Sequence, residues 1–227
     1  MTDDLTTVVQ PFSWSYSRLK NFETCPLRHL SYDIDKSVVE PESDQLRQGN
    51  QLHEHFRARI AEGKSLPLGY GQYEPILARL VNTPGAKHTE QKLAITSGFK
   101  PAAYFAKTAW FRTILDYVCM RDDGVAVVVD FKTGKPNADF TQLQLMAATL
   151  FHHEPKLQRV RAVLLFVGYD HTERAEYVRE DLPEIWGEIL PRVKLMQEAR
   201  DAQAYPPRPS GLCKRYCAVR SCAYCGK

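Results

Sequence analysis

Apolar side chains recur at helical spacing in the first third of the chain. Ser15 suits a helix N-cap before SRLKNFET, and Pro26 begins a second short helix, PLRHLSY. Residues 45–62 predict an amphipathic helix that ends before Gly63, and a shorter helix is expected around 76–81. The apolar stripe of the long helix consists of Leu46, Leu52, Phe56 and Ile60.

The pattern in the middle of the chain is typical of strands. EQKLAIT, AWFRTILDYVCM and VAVVVDFKT predict three strands, the last two joined by a hairpin at DDG, residues 122–124. A helix is expected from Asn137 to about His153, followed by the buried strand RVRAVLLFVGY and a long helix with a kink at Pro191.

This order of elements predicts a single α/β domain over residues 1–227. Within it we expect N-terminal helices over 15–62, a sheet core over 88–170 and a cysteine-rich tail over 205–227 that packs on the N-terminal helices.

Composition agrees with a soluble domain, since 44% of the 227 residues are hydrophobic and 25% are charged. The formal net charge of +3 is too small for polyanion binding by bulk electrostatics, so a nucleic-acid partner requires local sites. The N-terminus begins acidic rather than as a secretory signal, and no apolar stretch is long enough to span a membrane. We therefore expect a cytoplasmic protein.

Two carboxylates face each other in the predicted hairpin. If residues 122–124 form its loop, with Gly124 in the left-handed conformation, Asp116 lies directly across from Asp130. Opposed like charges destabilise a sheet, so this pair requires a compensating charge, and hard oxygen ligands suit Mg²⁺ or Mn²⁺. Lys132 follows Asp130 by two residues and therefore projects from the same face.

This arrangement is an outline for metal-assisted hydrolysis of a phosphodiester. A metal polarises the phosphate and lowers the pKa of bound water, while Lys132 orients that water or stabilises developing charge. The alternative is a surface hairpin in which Asp and Lys form an ordinary ion pair. The D-x-K tripeptide alone favours that alternative, and the opposed Asp116 shifts the balance towards a metal site.

An ordered set of motifs extends over nearly the whole chain. It consists of SYSRLK at 15–20, CP at 25–26, GNQLH at 49–53, Glu90, ILD at 114–116, VDFKTG at 129–134, QL at 142–143 and the terminal cysteines. In this order the motifs resemble the RecB-type nucleases of the PD-(D/E)xK superfamily. That group includes AddB nuclease domains, CRISPR-adaptation nucleases and stand-alone phage exonucleases.

The resemblance implies a restriction-endonuclease-like core, which is a central mixed sheet flanked by helices, with a C-terminal cysteine-rich metal clip. It also implies that Lys132 is the catalytic lysine and that Gln142 belongs to the site, although Met146 stands where the family often has the tyrosine of Q-x-x-x-Y. Glu90 is either an accessory acid near the metal or a solvated strand end. The metal ligands implied by the resemblance are His53, Asp116, Asp130 and the backbone carbonyl of Phe131.

Four of the six cysteines lie within the last 15 residues. In a reducing compartment such clusters are more often metal ligands than disulfides. In iron–sulfur members of the RecB-type group, one N-terminal cysteine joins three C-terminal ones around a 4Fe-4S cluster. The resemblance thus implies Cys25, Cys213, Cys217 and Cys222 as ligands, with Cys225 as a substitute. The rival hypothesis is a structural Zn²⁺ site made by the four tail cysteines, which leaves Cys25 as a small buried hydrophobe.

These observations together predict a Mg²⁺- or Mn²⁺-dependent exodeoxyribonuclease, acting in phage or bacterial DNA recombination, repair or degradation. Its expected partners are single-stranded DNA or duplex ends, and a helicase, single-strand-annealing or recombination protein, since the chain has no Walker-A motif. Two alternatives are a CRISPR-adaptation nuclease that trims prespacers and a non-catalytic nucleic-acid-binding protein with a structural metal cluster.

Overall fold

The strands in the middle of the chain pair into one six-stranded mixed sheet. A computed structural model describes residues 11–39, 43–136 and 139–226. The sheet order is β2-β1-β3-β4-β5-β6, with β4 and β5 parallel and the other neighbours antiparallel. The strands are β1 Ala86–Ile95, β2 Pro101–Ala102, β3 Phe111–Met120, β4 Val125–Lys132, β5 Arg159–Phe166 and β6 His171–Val178.

Seven α-helices among the described residues flank this sheet. A π-helical turn, Leu30–Ile34, continues α2. The helices are α1 Tyr16–Thr24, α2 Pro26–His29, α3 Asp44–Glu62, α4 Glu74–Asn82, α5 Thr141–His153, α6 Leu182–Asp201 and α7 Leu212–Arg215.

Helix boundaries follow the local signals in the sequence. The Ser15 hydroxyl accepts a hydrogen bond from the Arg18 N–H, and Ser43 caps α3 in the same way. Gly63 ends α3 in the left-handed conformation, with φ of 68°. The apolar stripe predicted for α3 is wrong at Leu46, which is 51% exposed, because this first-turn residue lines an open cleft rather than the core.

Two other sequence predictions differ from the structure. Strand β6 was not predicted, because HTERAEYV is a mostly polar edge strand whose apolar contacts with the core are those of the partly buried Ala175 and Tyr177. Helix α5 begins at Thr141, whereas its predicted start, Asn137, lies outside the described residues. The N-terminal prediction about a secretory signal also concerns residues 1–10, which lie outside them. Across the described ranges, no helix has the length and apolar character needed to cross a bilayer.

Helices cover the sheet on both faces. On one face, α5 packs its Leu143 and Met146 against Leu115 and Val128 of the sheet. On the other, α3 and α4 enclose a second apolar cluster made of Leu52, Phe56, Leu77, Leu80, Tyr117 and Phe131. A helix from each face therefore approaches the central strands β3 and β4.

Asp139, just before α5, connects that helix to α1. Its carboxylate accepts hydrogen bonds from the Tyr16 hydroxyl at 3.0 Å and the Thr141 N–H at 3.0 Å, and it lies 2.8 Å from the Lys20 ammonium. Partial burial raises the pKa of Asp139, but the Lys20, Thr141 and Tyr16 contacts outweigh burial and hold that pKa well below its ordinary range.

Gly85 is the position before β1 where a side chain is excluded. Its φ is 130°, and an added Cβ would lie 2.4 Å from the Met120 carbonyl oxygen. We expect Gly85→Ala to lower the free energy of unfolding by about 2 kcal/mol or more, measured by urea denaturation. Gly187→Ala is the matched control, because Gly187 lies within α6 with open space around it. That change should raise stability by up to about 1 kcal/mol. Equal effects of the two substitutions would contradict this account.

The contacts of Asp139 predict a pH-dependent contribution to stability. Because its pKa is lowered on folding, the contribution is present above the unfolded pKa of about 4 and is lost as pH falls towards the folded value. Asp139→Asn should lower Tm by about 2–4 °C at pH 7, a modest loss because solvent screens a partly exposed group. Thermal melts should show the difference from wild type shrinking below about pH 4. Asp122→Asn, in the exposed hairpin loop, serves as the control.

Candidate active site

Strand β3 reverses its facing at Asp116. Residues two apart on a strand normally face the same side of a sheet. Leu115, however, packs in the cluster with α5, whereas Tyr117 packs in the cluster with α3. Asp116 therefore occupies an irregular position, at which the regular alternation of side chains between the two faces of the sheet is interrupted.

Glu90 lies across from Asp116 on the neighbouring strand β1. The regular pairs Thr89 with Tyr117 and Gln91 with Leu115 flank the two acids. Glu90 has φ of 50°, a left-handed conformation that costs a non-glycine residue roughly 1–2 kcal/mol. Such strain is typical of functional sites, where the surrounding structure holds it in place.

On its other side, Asp116 faces β4 in the predicted register. The β3–β4 hairpin pairs Met120 with Ala126 and Tyr117 with Val129, so the next position places Asp116 abreast of Asp130. Regular pairing ends there, and the Phe131 N–H donates a hydrogen bond of 2.8 Å to Asp116 Oδ2. Three carboxylates thus lie side by side across β1, β3 and β4 where the strands lose their regular pairing.

Helix α3 adds an imidazole to this group. Gly49 lets the helix come close to the end of β4, since a Cβ at that position would lie 3.2 Å from Thr133 Oγ1. One turn later His53 Nδ1 lies 3.3 Å from Asp116 Oδ2. Partial burial lowers the pKa of His53, but the hydrogen bond to Asp116 and the nearby carboxylates outweigh burial and raise it.

His53, Glu90 and Asp116 have ligand atoms within 4.8 Å of one another. They lie in a cleft of about 620 Å³ that is also lined by Phe131 and Lys132. This trio differs from the ligand set implied by the family resemblance, because Glu90 is in it and Asp130 is not. The physical reason is strand alternation: Val128 and Asp130 face α5, whereas the trio lies on the α3 side.

Asp130, Lys132 and Gln142 form a closed network beneath the trio. Lys132 Nζ lies 2.6 Å from Asp130 Oδ2 and donates a hydrogen bond of 2.7 Å to Gln142 Oε1. The Gln142 amide in turn donates to Asp130 Oδ1 at 2.7 Å. Lys132 also lines the cleft, so its ammonium is shared between Asp130 and the open site.

The site concentrates negative charge on partly buried side chains. Burial raises the pKa of Asp130, and the Asp116 charge raises it further, although Lys132 opposes both. Burial and Asp116 likewise raise the pKa of Glu90. Asp130 Oδ2 is buried and is ion-paired with the Lys132 ammonium. An imidazole and clustered carboxylates are a donor set that fits Mg²⁺ or Mn²⁺.

A second group of chemistry-bearing residues joins the two ends of the chain. Cys25, at the joint of α1 and α2, lines one cavity together with Cys213, Cys217 and Cys222. The Arg208 N–H donates to Cys25 Sγ at 3.3 Å and the Ser210 N–H to Cys213 Sγ at 3.4 Å.

Cys225 does not line this cavity. Its thiol donates a hydrogen bond of 3.3 Å to the Cys217 carbonyl oxygen. No three cysteine sulfurs of the described chain lie within 4.8 Å of one another. Tetrahedral zinc, with Zn–S bonds of about 2.3 Å, would require sulfurs roughly 3.8 Å apart.

Some contacts that support the site could not be inferred from the sequence. The Tyr16 hydroxyl reaches Asp139 across 123 positions, and the Arg192 guanidinium binds the Glu23 carboxylate and the Thr141 hydroxyl. These contacts fix the start of α5, which carries Gln142. In the sequence each of these side chains looks like an ordinary polar residue on or beside a helix, and nothing marks its partner.

Comparisons with known proteins agree with this fold. The family model described as the PD-(D/E)XK nuclease superfamily matches residues 13–225. A protein from Eubacterium rectale, provisionally described as an exonuclease, superposes with a TM-score of 0.57 and 10% identity, covering 92% of this chain and 89% of its own. The structure named SSO0001 has a TM-score of 0.46 and 16% identity, covering 93% of this chain and 85% of its own.

No curated protein sequence matches the chain. At 10% identity, the likeness to the Eubacterium rectale protein concerns the fold alone. The family model, by contrast, covers nearly the whole chain. This chain belongs to the PD-(D/E)XK nuclease superfamily.

Proposed function

We propose that this nuclease is a Mg²⁺- or Mn²⁺-dependent DNA exonuclease. The observation that carries the proposal is the convergence of His53, Glu90 and Asp116 with Lys132 in one open cleft. Asp130 forms an ion pair with that lysine, and Gln142 accepts a hydrogen bond from it. An ion-paired surface hairpin would require neither the strained Glu90 nor a histidine from α3.

In this proposal His53, Glu90 and Asp116 hold the metal, with Asp130 and the Phe131 carbonyl completing its surroundings. A bound divalent cation would supply charge neutralisation for the phosphate and acidify a water molecule. The Phe131 N–H orients the Asp116 carboxylate by its hydrogen bond to Oδ2. Asp116 in turn orients the His53 imidazole.

Lys132 contributes a fixed positive charge at the cleft. Its Nζ is held between Asp130 Oδ2 and Gln142 Oε1, and its protons can be donated to a phosphate oxygen or to water. Gln142 bonds to both partners, so it sets the position of the ammonium relative to Asp130. Lys132 is thus the proposed catalytic residue, and Gln142 positions it.

The terms DNA and exonuclease rest on family likeness rather than on the cleft. The ordered motifs resemble RecB-type nucleases, and the Eubacterium rectale protein of similar fold is provisionally described as an exonuclease. On this basis we propose DNA ends as the substrate and phage or bacterial recombination, repair or degradation as the setting. A helicase, single-strand-annealing or recombination protein is the corresponding partner.

Lys132→Ala should lower DNA hydrolysis by at least about 100-fold, because it removes the charge that faces the phosphate. The measurement is release of nucleotides from 5′- and 3′-labelled single-stranded and duplex DNA. Chelator-treated enzyme should be inactive until Mg²⁺ or Mn²⁺ is added.

Lys156→Ala, at an exposed turn, is the control and should retain full activity. Unchanged cleavage by Lys132→Ala, with a normal circular dichroism spectrum, would refute the assignment of Lys132 as the catalytic residue. Absence of cleavage by wild type with either metal would instead support a non-catalytic nucleic-acid-binding protein.

We further propose that Cys25, Cys213, Cys217 and Cys222 hold a 4Fe-4S cluster. The support is that these four cysteines line one cavity and that backbone N–H groups donate to two of their sulfurs. Bound there, a cluster would link the N-terminal helices to the tail.

Anaerobically purified wild type should be brown, with an absorbance band near about 400 nm. Cys25→Ala should abolish this band because it removes a ligand. Cys225→Ala, the matched control, should keep it, since the Cys225 thiol bonds to a backbone carbonyl outside the cavity. A colourless protein with one bound zinc that is lost in Cys225→Ala would instead favour the four-cysteine tail site.

A further inference from the structure

The loop between β2 and β3 presents an exposed aromatic ring. Phe105 is 82% exposed, in a segment stabilised by two successive turns, in which the Ala106 N–H donates to the Ala103 carbonyl and the Ala109 N–H to the Ala106 carbonyl. The Arg112 guanidinium donates to the Tyr104 carbonyl at 2.7 Å and to the Ala106 carbonyl at 3.1 Å. These hydrogen bonds hold the loop on both sides of Phe105, so the ring is presented from a fixed backbone.

Other side chains fix the surroundings of the Phe105 ring. The Tyr104 ring meets it edge-on, with centroids 5.0 Å apart. The Lys92 ammonium lies 5.6 Å from the centroid of the Phe105 ring and 5.9 Å from that of Tyr104. A cation therefore accompanies an exposed aromatic ring, and this pairing is common in surfaces that bind single-stranded nucleic acid.

The charge of this segment is one-sided. Residues 91–115 contain four basic residues and no acidic one. The carboxylates of the candidate active site, Glu90 and Asp116, stand immediately at its two ends. The basic residues are Lys92, Lys100, Lys107 and Arg112. Of these, Lys92 lies beside the exposed ring, so positive charge adjoins Phe105 where a polyanion could be bound.

The aromatic loop lies on the same side of the sheet as the cleft. Leu93 and Leu115 face α5, so their neighbours Lys92 and Ile114 face the α3 side. Ile114 lines the cleft and pairs with Lys92 across the strands. Lys92 follows Glu90 by two residues, a distance of about 7 Å along β1. A strand leaving the cleft therefore reaches Lys92 and Phe105 within a few nucleotides.

We propose that Phe105 is a stacking platform for an unpaired base of the DNA strand held in the cleft, with Lys92 contacting the phosphate backbone beside it. This inference rests on the proposed nuclease function and names its substrate as a single-stranded segment. Single-stranded DNA is favoured because a ring face can stack on a base only when that base is free of its duplex neighbours. An isolated surface apolar residue needs no partner, but the backbone on both sides of Phe105 is held by hydrogen bonds and the Lys92 ammonium lies beside its ring.

The test is binding of an end-labelled single-stranded oligonucleotide, measured by fluorescence anisotropy with Ca²⁺ replacing Mg²⁺ to suppress cleavage. Phe105→Ala should weaken the affinity for the oligonucleotide about 5- to 100-fold, because it removes the ring on which one base stacks. Phe105→Trp should stay within about twofold of wild type, since it retains a stacking face. An oligonucleotide of the same length made of abasic sites should bind wild type and Phe105→Ala equally.

Leu195→Ala is the matched control, because it truncates another exposed apolar side chain, on α6, and should leave affinity unchanged. The proposal is overturned if wild type does not bind the single strand or if Phe105→Ala binds it as wild type does. It is equally overturned if the loss extends to abasic oligonucleotide or if Phe105→Trp fails to restore binding.

Failure of this inference is separable from failure of the proposed function. If wild type does not cleave DNA with either metal, the proposed nuclease function fails while the anisotropy result stands on its own. If Lys132→Ala abolishes cleavage but Phe105→Ala binds normally, the nuclease assignment stands and the stacking platform does not.

Discussion

The site depends on the negative charge that three adjacent strands bring to neighbouring positions. Glu90, Asp116 and Asp130 lie abreast across β1, β3 and β4, where the regular ladder pairs stop. Like charges at such spacing are unfavourable in a sheet, and burial raises the pKa of Asp130 and of Glu90. A bound cation would relieve this repulsion. The strained backbone of Glu90 and the reversed facing of β3 at Asp116 are the local deformations that bring the group together.

Each of the two helical layers contributes a different side chain to the site. Helix α3 delivers His53 from one face, and its Gly49 permits the close approach. Helix α5 delivers Gln142 from the other face, where it holds Lys132 and Asp130. The Asp116 carboxylate connects the two sides, because it meets His53 and also accepts from the Phe131 backbone. A displacement of either helix would therefore change the geometry around the same carboxylates.

The cysteine cavity has a different relation to the fold. It closes a contact between the first helices and the last residues, through Arg208, whose backbone donates to Cys25 Sγ and whose guanidinium donates to the Glu23 carbonyl. Helix α1 also contacts the start of α5 through Tyr16 and Asp139. Helix α1 therefore links the cysteine cavity to the start of α5, which carries Gln142. A metal group bound by the cysteines would stabilise this link.

Local signals in the sequence determined the helix caps, the central strands and the hairpin register, because Ser15, Gly63 and Gly124 act through their own backbone and side-chain chemistry. That register was enough to predict Asp116 abreast of Asp130, with Lys132 beside it. Strand β6 was not predicted because only Ala175 and Tyr177 of this edge strand alternate towards the core, too short a pattern among polar residues. Tertiary structure alone decided that Glu90 comes within 4.8 Å of the ligand atoms of His53 and Asp116, because the reversal of β3 and the direction of each carboxylate depend on packing against α3 and α5.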